Sequence, residues 1–297
     1  MIRAEWKKLL RQRWLIGIAI LLIFVDVGLF LNTQYTEKKD RVAAVPLFAK
    51  YQKETANMTN EQAQECLTDQ LNMLSNFQFV QIALNGEVDE GLLQGFVEEN
   101  PNILDEYRQA GYEENPLALT TKIQVISELL EQYQNVSGYQ AYLESIQAQY
   151  KQMKDSSFYE GRPYAEAQGK KTVEDFAKLQ GTKLEIGMNW GVEALMEEQI
   201  SSVILILLAL GICIVLVSQD RTYDMFGLLR SCRRGHGYLI VAKFATALTA
   251  VLLFGIVMYG SQVAIAWKLY GMGNLNRPMQ SVNLLNESAR QLTVGGY

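Results

Sequence analysis

The sequence has few of the residues from which most catalytic sites are built. It contains one histidine, His236, with three cysteines and five prolines among 297 residues. A single histidine excludes H-E-x-x-H and every other multi-histidine zinc site. No C-x-x-C or G-x-S-x-G motif occurs. The sequence therefore carries no signal for a catalytic residue, a metal site or a bound cofactor.

A phosphate-binding loop of the form G-x-x-x-x-G-K-[ST] is also missing. The nearest stretch, GRPYAEAQGKKT at 161–172, has seven residues between its two glycines and Lys171 in place of the hydroxyl residue. With that spacing the backbone amides are not expected to surround a phosphate. We therefore predict that the chain is not an enzyme and has no nucleotide site of its own.

Charge is almost absent from three long stretches. Residues 15–32 contain one charged side chain, and residues 200–217 and 244–267 contain none. Eighteen helical residues extend about 27 Å, close to the thickness of the hydrocarbon core of a bilayer. We therefore predict an all-α membrane protein with transmembrane helices at 15–32, 199–218 and 239–267. The first run is longer than a signal-peptide core, which favours a retained anchor over a cleaved signal.

The distribution of charge predicts the orientation in the membrane. Residues 1–14 carry five basic and one acidic side chain, and residues 219–243 carry five basic and two acidic ones. Residues 33–198 carry 14 basic and 27 acidic side chains. Short basic flanks stay in the cytoplasm, whereas long domains cross largely regardless of charge. We expect a cytoplasmic N-terminus, a cytoplasmic loop at 219–238, an extracellular domain at 33–198 and an extracellular tail at 268–297.

Residues 1–14 form a predicted cytoplasmic amphipathic helix. Ile2, Trp6, Leu9 and Leu10 share one helical face, and basic side chains occupy much of the rest. This pattern is typical of a helix that lies in the headgroup region with its basic side toward anionic lipid. It fits both an elbow helix that packs on the transmembrane bundle and a simple basic flank that sets the topology.

The large extracellular domain inserted after the first span is predicted to be helical. A capping box, Thr59 with Gln62, precedes apolar residues spaced by three and four, and no β-alternating run stands out. Similar spacings recur between residues 116 and 154. Aromatic residues in these stripes are better explained by helix packing than by a ligand site. Trp190, about ten residues before the second span, is expected near the outer membrane interface.

Asp26 is the one charged residue in a predicted span. A carboxyl group in a membrane usually faces the interior of a helix bundle or water. Asp26 is therefore either a pathway or helix-registering residue, or a partner in a hydrogen bond between helices.

The loop at 219–238 has the properties of a docking element. The stretch QDRTYDMFGLLRSCRRGHGY is predicted to form a short helix, ended by Gly235, with apolar side chains among charges. A partner that binds such a helix in a groove is anchored by the apolar residues and oriented by the arginines. The alternative is a passive basic turn that only follows the positive-inside rule.

The same loop carries a family resemblance. In YDMFGLLRSCRRGHGYLIVAK, residues Gly227 to Ser231, Gly235, Leu239, Ala242 and Lys243 are similar to the region between the second and third spans of type-two ABC exporter permeases from Gram-positive bacteria. The opening EWKKLLRQRW looks like the N-terminal helix of that family. Residues 271–285, GMGNLNRPMQSVNLL, look like the stretch after its third span.

The resemblance implies a permease subunit of an ATP-driven ABC transporter, of the exporter type, in a bacterial plasma membrane. It implies a separate cytoplasmic ABC ATP-binding subunit as partner and a homodimer or heterodimer of permeases, with membrane lipid around them and no nucleic acid. The family usually has six spans, so residues 268–297 are expected to begin a missing C-terminal half. The implied ATPase-coupling residues are Tyr223, Phe226, Gly227, Leu228, Leu229, Arg230, Arg233 and Arg234.

Two other functions fit the same arrangement of segments. One is an ABC-linked mechanotransmission or sensor protein that acts through its extracellular domain without moving a substrate. The other is a membrane-anchored binding protein, for which the pattern of the loop is a coincidence.

Overall fold

A computed structural model describes residues 2–222 and 235–296 of the chain. All regular secondary structure in these residues is helical. The one β-type pairing among them is an isolated bridge between Pro278 and Thr293. The prediction of an all-α protein is confirmed. The helices are α1 (Ile2–Arg11), α2 (Arg13–Asn32), α3 (Lys39–Thr55), α4 (Asn60–Leu84), α5 (Glu90–Glu99), α6 (Ile103–Gln109), α7 (Pro116–Asp155), α8 (Pro163–Ala177), α9 (Trp190–Glu197), α10 (Ile200–Thr222) and α11 (Gly235–Tyr270).

Helices α2, α10 and α11 are long and apolar enough to cross a membrane. The spans Arg13–Glu37, Ile200–Ser218 and Gly237–Tyr270 have mean hydropathies of 2.6, 3.1 and 2.2. Large apolar side chains on them face outward, including Phe24 at 71 % and Ile256 at 68 % exposure. A surface this apolar is typical of contact with lipid, not with water. The three predicted transmembrane helices are confirmed as elements of this length and composition.

The chain divides into two compact units. The first, called the bundle unit below, comprises Met1–Lys39 and Glu193–Gly271. The second, called the helical domain, comprises Asp40–Val192 and Met272–Tyr297. The predicted domain boundary at residue 33 therefore differs from the structure, because α2 continues through a π-helical turn, Thr33–Glu37, that belongs to the bundle unit.

The core of the helical domain lies between α4 and α7. Helix α4 begins with the predicted capping box, in which the Thr59 hydroxyl accepts a hydrogen bond from the Gln62 backbone amide and the Gln62 side chain accepts one from the Thr59 amide. Such a box satisfies donors that have no partner within the helix. Apolar residues at helical spacing then meet across the pair, namely Leu67, Leu74, Phe77 and Val80 from α4 with Leu119, Ile126, Leu129 and Tyr133 from α7.

The segment after α11 is part of the helical domain. Arg277 is 1 % exposed, and its Nη2 donates hydrogen bonds of 2.8 Å to the Met188 carbonyl oxygen and to Asn189 Oδ1. The Glu185 backbone amide donates to the Ser281 hydroxyl at 3.0 Å. The sequence predicts a separate tail at 268–297, whereas these contacts place 272–296 within the same unit as 40–192.

Trp190 has a different environment from the one its sequence position predicts. It is 1 % exposed and packs edge to face on Phe48, with ring centroids 5.4 Å apart. A side chain enclosed in this way cannot lie among lipid headgroups. The ring of Trp190 therefore fills the core of the helical domain, and its expected position near the outer interface stays a prediction.

Candidate functional site in the helix bundle

The bundle unit has an apolar core to which four helices contribute. Helix α1 packs against α10 and α11, and α2 packs against both of these helices as well. Small residues such as Ala19 and Ala250, each 1 % exposed, allow the helices to approach closely. The other buried members of this core are Leu9, Leu15, Leu208, Ile212, Val215, Leu216 and Ala247.

A cluster of three polar side chains interrupts the apolar packing of the bundle. Gln262 Nε2 on α11 donates hydrogen bonds to Asp26 Oδ2 on α2 at 2.9 Å and to Ser201 Oγ on α10 at 2.5 Å. The three side chains are 2 %, 0 % and 1 % exposed for Asp26, Ser201 and Gln262. One amide group therefore links all three membrane-length helices. We call Asp26, Ser201 and Gln262 the polar cluster.

A second buried hydrogen bond joins α11 to the π-helical turn that continues α2. The Tyr270 hydroxyl donates to Gln34 Oε1 at 2.7 Å. Both Gln262–Asp26 and Tyr270–Gln34 join residues 236 apart in the sequence. From the first bond to the second, the bonded position moves eight residues toward the C-terminus on both partners, about 12 Å along a helix. Helices α2 and α11 therefore run parallel and in register, and the chain leaves both at the same end of the bundle.

The surroundings of Asp26 favour its interpretation as a partner in a hydrogen bond between helices. Its side chain is enclosed within the bundle, and it accepts a hydrogen bond from the Gln262 amide on another helix. A polar group in the hydrocarbon region costs free energy unless it is hydrogen-bonded. The cluster is thus suited to fix the rotation and depth of the three helices relative to one another. Among residues 2–222 and 235–296, no group of three or more His, Cys, Asp or Glu side chains could hold a metal ion.

The predicted coupling residues lie outside the described part of the chain. The structure describes the helices on either side, with α10 ending at Thr222 and α11 beginning at Gly235. Helix α11 thus begins before residue 239, where the third span was predicted to start. The Lys243 ammonium on α11 donates a hydrogen bond to the Leu216 carbonyl oxygen on α10. This bond links the two helices close to the ends that flank the loop.

Helix α1 packs on the bundle with only part of its predicted face. Leu9 is 5 % exposed and Trp6 packs against the apolar core, whereas Ile2 and Leu10 are 48 % and 57 % exposed. Glu5 is 3 % exposed, and its Oε1 accepts a hydrogen bond from the Lys8 ammonium at 2.7 Å. The contacts with α10 and α11 are those expected of an elbow helix, but the buried face includes a carboxyl group that the apolar pattern did not indicate.

Sequence reasoning singled out Asp26 but missed its partners. Ser201 and Gln262 stand in or beside the apolar runs, and Gln34 and Tyr270 stand just beyond them. A polar residue in such a run is a signal that could have been used. Its partner could not be identified, because the contact depends on which faces of the helices meet.

Compared with models of known protein families, with characterised proteins and with solved structures, the chain matches none. Any function must therefore be argued from its own residues and geometry.

Proposed function

We propose that the chain is the membrane-spanning permease subunit of an ABC transporter in a bacterial plasma membrane. Its loop at 219–238 binds a separate ATP-binding subunit, and movement of that loop is transmitted to α10 and α11. The observation that carries the proposal is the way these two helices are joined beside the loop. The Lys243–Leu216 hydrogen bond and the packing of α1 on both helices favour their moving together.

The polar cluster extends this mechanical link to the first span. Because Gln262 bonds to Asp26 and Ser201, a tilt of α11 displaces α2 and α10 as well. The parallel register of α2 and α11 supports the proposed topology, since both helices then cross from the cytoplasm outward. The helical domain is extracellular in this proposal, as its excess of acidic over basic residues permits.

Co-purification of a cytoplasmic ABC ATP-binding subunit with the membrane-inserted chain tests the proposal. The double variant Phe226→Asp with Leu229→Asp removes two apolar anchors from the loop, and we expect it to abolish co-purification of the subunit. A matched double variant, Leu92→Asp with Leu117→Asp, changes two residues of the helical domain that are 63 % and 64 % exposed. That variant is expected to co-purify normally.

Two results would contradict the proposal. One is undiminished co-purification by the loop variant. The other is the absence of any bound ATP-binding subunit on the unaltered, membrane-inserted chain.

A mechanotransmission protein is the second candidate function. It is supported by the number of connections that the chain makes between the two units. The polypeptide passes between the bundle unit and the helical domain at 39/40, 192/193 and 271/272. A movement of the bundle is therefore delivered to the domain through three covalent connections. ATP-dependent accumulation of a substrate in sealed vesicles identifies a transporter, whereas nucleotide-dependent change in the domain without such accumulation identifies a mechanotransmission protein.

A further inference from the structure

A cavity in the helical domain lies between α7 and the segment that follows α11. Its volume is about 190 Å³, and Tyr139 and Tyr142 of α7 form part of its wall. Their rings are stacked, with centroids 6.2 Å apart, and Phe176 meets Tyr142 edge to face. Behind them, Leu143, Phe176, Leu179 and Leu184 form a buried apolar cluster. The aromatic wall is therefore held in place by the core of the domain.

Tyr139 has a hydroxyl group that the fold leaves unused. The residue is 4 % exposed, and its hydroxyl is buried with no hydrogen-bond partner in the described residues. The hydroxyl oxygen exposes less than 1 Å² of surface, so the cavity does not reach it and Tyr139 contributes its ring to the wall. Burial raises the pKa of Tyr139 to about 12, so this hydroxyl remains a donor at neutral pH.

Gly138 adds an independent indication that the space is required. It lies in the middle of the 40-residue helix α7, where glycine is less stable than alanine. A Cβ atom added at this position meets no atom within 4 Å. No neighbouring side chain therefore requires a glycine here, and its effect is to leave the cavity open.

The charge of the cavity wall selects the class of ligand. Glu287 is its one charged lining residue, and this carboxyl group forms no ion pair with any described residue. Glu287 is exposed and lines the same cavity as Tyr142, so its negative charge lies beside the aromatic wall. Burial and this carboxylate both raise the pKa of Tyr142. Aromatic faces together with a carboxylate are the groups with which proteins bind organic ammonium ions.

We propose that this cavity binds a small alkylammonium ion. The cation lies against Tyr142 with Glu287 as its counter-charge. The site is independent of the ATP-binding partner proposed above.

The test is calorimetric titration of the full chain, in a maltoside detergent with lipids that lack choline headgroups. The probes are choline, tetramethylammonium and 3,3-dimethylbutan-1-ol, the uncharged carbon analogue of choline. We expect choline and tetramethylammonium both to bind and the uncharged analogue not to bind. Equal binding of choline and its uncharged analogue, or no binding of either cation, would overturn the proposal.

Variants assign the binding to this cavity. Tyr142→Leu and Glu287→Gln should each weaken choline binding by about fivefold or more. Tyr139→Phe keeps the aromatic ring and should leave the binding of both cations unchanged, whereas Gly138→Leu should fill the space and abolish both. Tyr150→Leu is the matched control, because Tyr150 pairs with Tyr159 at 5.7 Å outside the cavity wall. Thermal unfolding verifies that each variant is folded, and a folded Gly138→Leu variant with unaltered choline binding would refute the assignment.

Discussion

The Gln262 amide lies 2.9 Å from the Asp26 carboxyl group, and the two residues belong to parallel helices. The same amide group reaches Ser201 on α10, so that one side chain connects three helices whose other contacts are largely apolar. In a bilayer, apolar helix faces have little preference for one another over lipid. Directional bonds such as these are therefore what distinguishes the observed register from neighbouring ones.

Replacing Gln262 by leucine tests this role. Leucine has a similar size but donates no hydrogen bond, so Asp26 and Ser201 lose their shared partner. We expect the bundle to be destabilised by about 1–2 kcal/mol, the range of hydrogen bonds between transmembrane helices. Thermal unfolding of the purified chain in detergent, followed by circular dichroism, gives the measurement.

Asp26→Asn is the matched variant, because asparagine keeps an oxygen that accepts the Gln262 amide. Its melting temperature should equal or exceed that of the unaltered chain, since a potential charge is removed from the bundle. An unchanged melting temperature for Gln262→Leu would show that the polar cluster does not hold the helices in register.

The elements that the sequence predicts correctly are those determined by local pattern. The absence of charge is sufficient to find the three apolar helices, and the Thr59–Gln62 capping box depends only on residues three apart. The partners of Asp26 depend instead on the faces that distant helices present. The same limit explains the missed position of Arg277, whose contacts at Met188 and Asn189 lie almost ninety residues away.

Two glycines of the helical domain should respond in opposite ways to alanine. At Gly187 an added Cβ would lie 2.5 Å from Arg277 Nη1, and that guanidinium is buried and held by two hydrogen bonds. We expect Gly187→Ala to destabilise the domain by about 1–3 kcal/mol, as overpacking does. Gly138→Ala should stabilise it by about 1 kcal/mol, because it improves helix propensity without a clash. Denaturant unfolding of both variants gives the comparison, and a stabilised Gly187→Ala would show that Arg277 is free to move.

Glu128 makes the stability of the helical domain dependent on pH. Burial raises the pKa of this carboxyl group and the neighbouring Glu131 raises it further, while the hydrogen bond from Gln132 and the charge of Arg41 act against them. A carboxyl group with a raised pKa in the folded state binds its proton more tightly there than in the unfolded chain. Its contribution to stability is present below the ordinary value of 4.5 and is lost as pH rises through the folded pKa.

Glu128→Gln should therefore raise the melting temperature at neutral pH and reduce its decline between pH 4.5 and neutrality. Glutamine retains an oxygen that can accept the hydrogen bonds that Gln132 and Asn283 now donate to Glu128. Glu144→Gln, at an exposed position on the same helix, should change neither quantity. Melting curves of the variants and the unaltered chain across this pH range give the measurement. A melting temperature for Glu128→Gln below that of the unaltered chain at neutral pH would mean that the charged form of Glu128 is the stabilising one.

The proposed orientation in the membrane predicts which cysteines an impermeant reagent can reach. Two variants are compared. In the first, Cys66 and Cys213 are replaced by serine, which leaves Cys232 in the loop as the one thiol. In the second, all three cysteines are replaced and Ala148→Cys is introduced on α7. In intact bacterial cells we expect a membrane-impermeant maleimide to label Ala148→Cys. Cys232 should be labelled only after the membrane is permeabilised, because the basic loop lies inside.

The parallel arrangement of α2 and α11 makes the labelling result more informative. The chain leaves both helices at the same end, so a thiol placed after either should behave alike. Ser288→Cys, in the half-buried segment after α11, should therefore react in intact cells as Ala148→Cys does. Labelling of Cys232 but not of Ala148→Cys in intact cells would reverse the orientation. Different behaviour at positions 148 and 288 would instead contradict the parallel register that the bonds at Asp26 and Gln34 define.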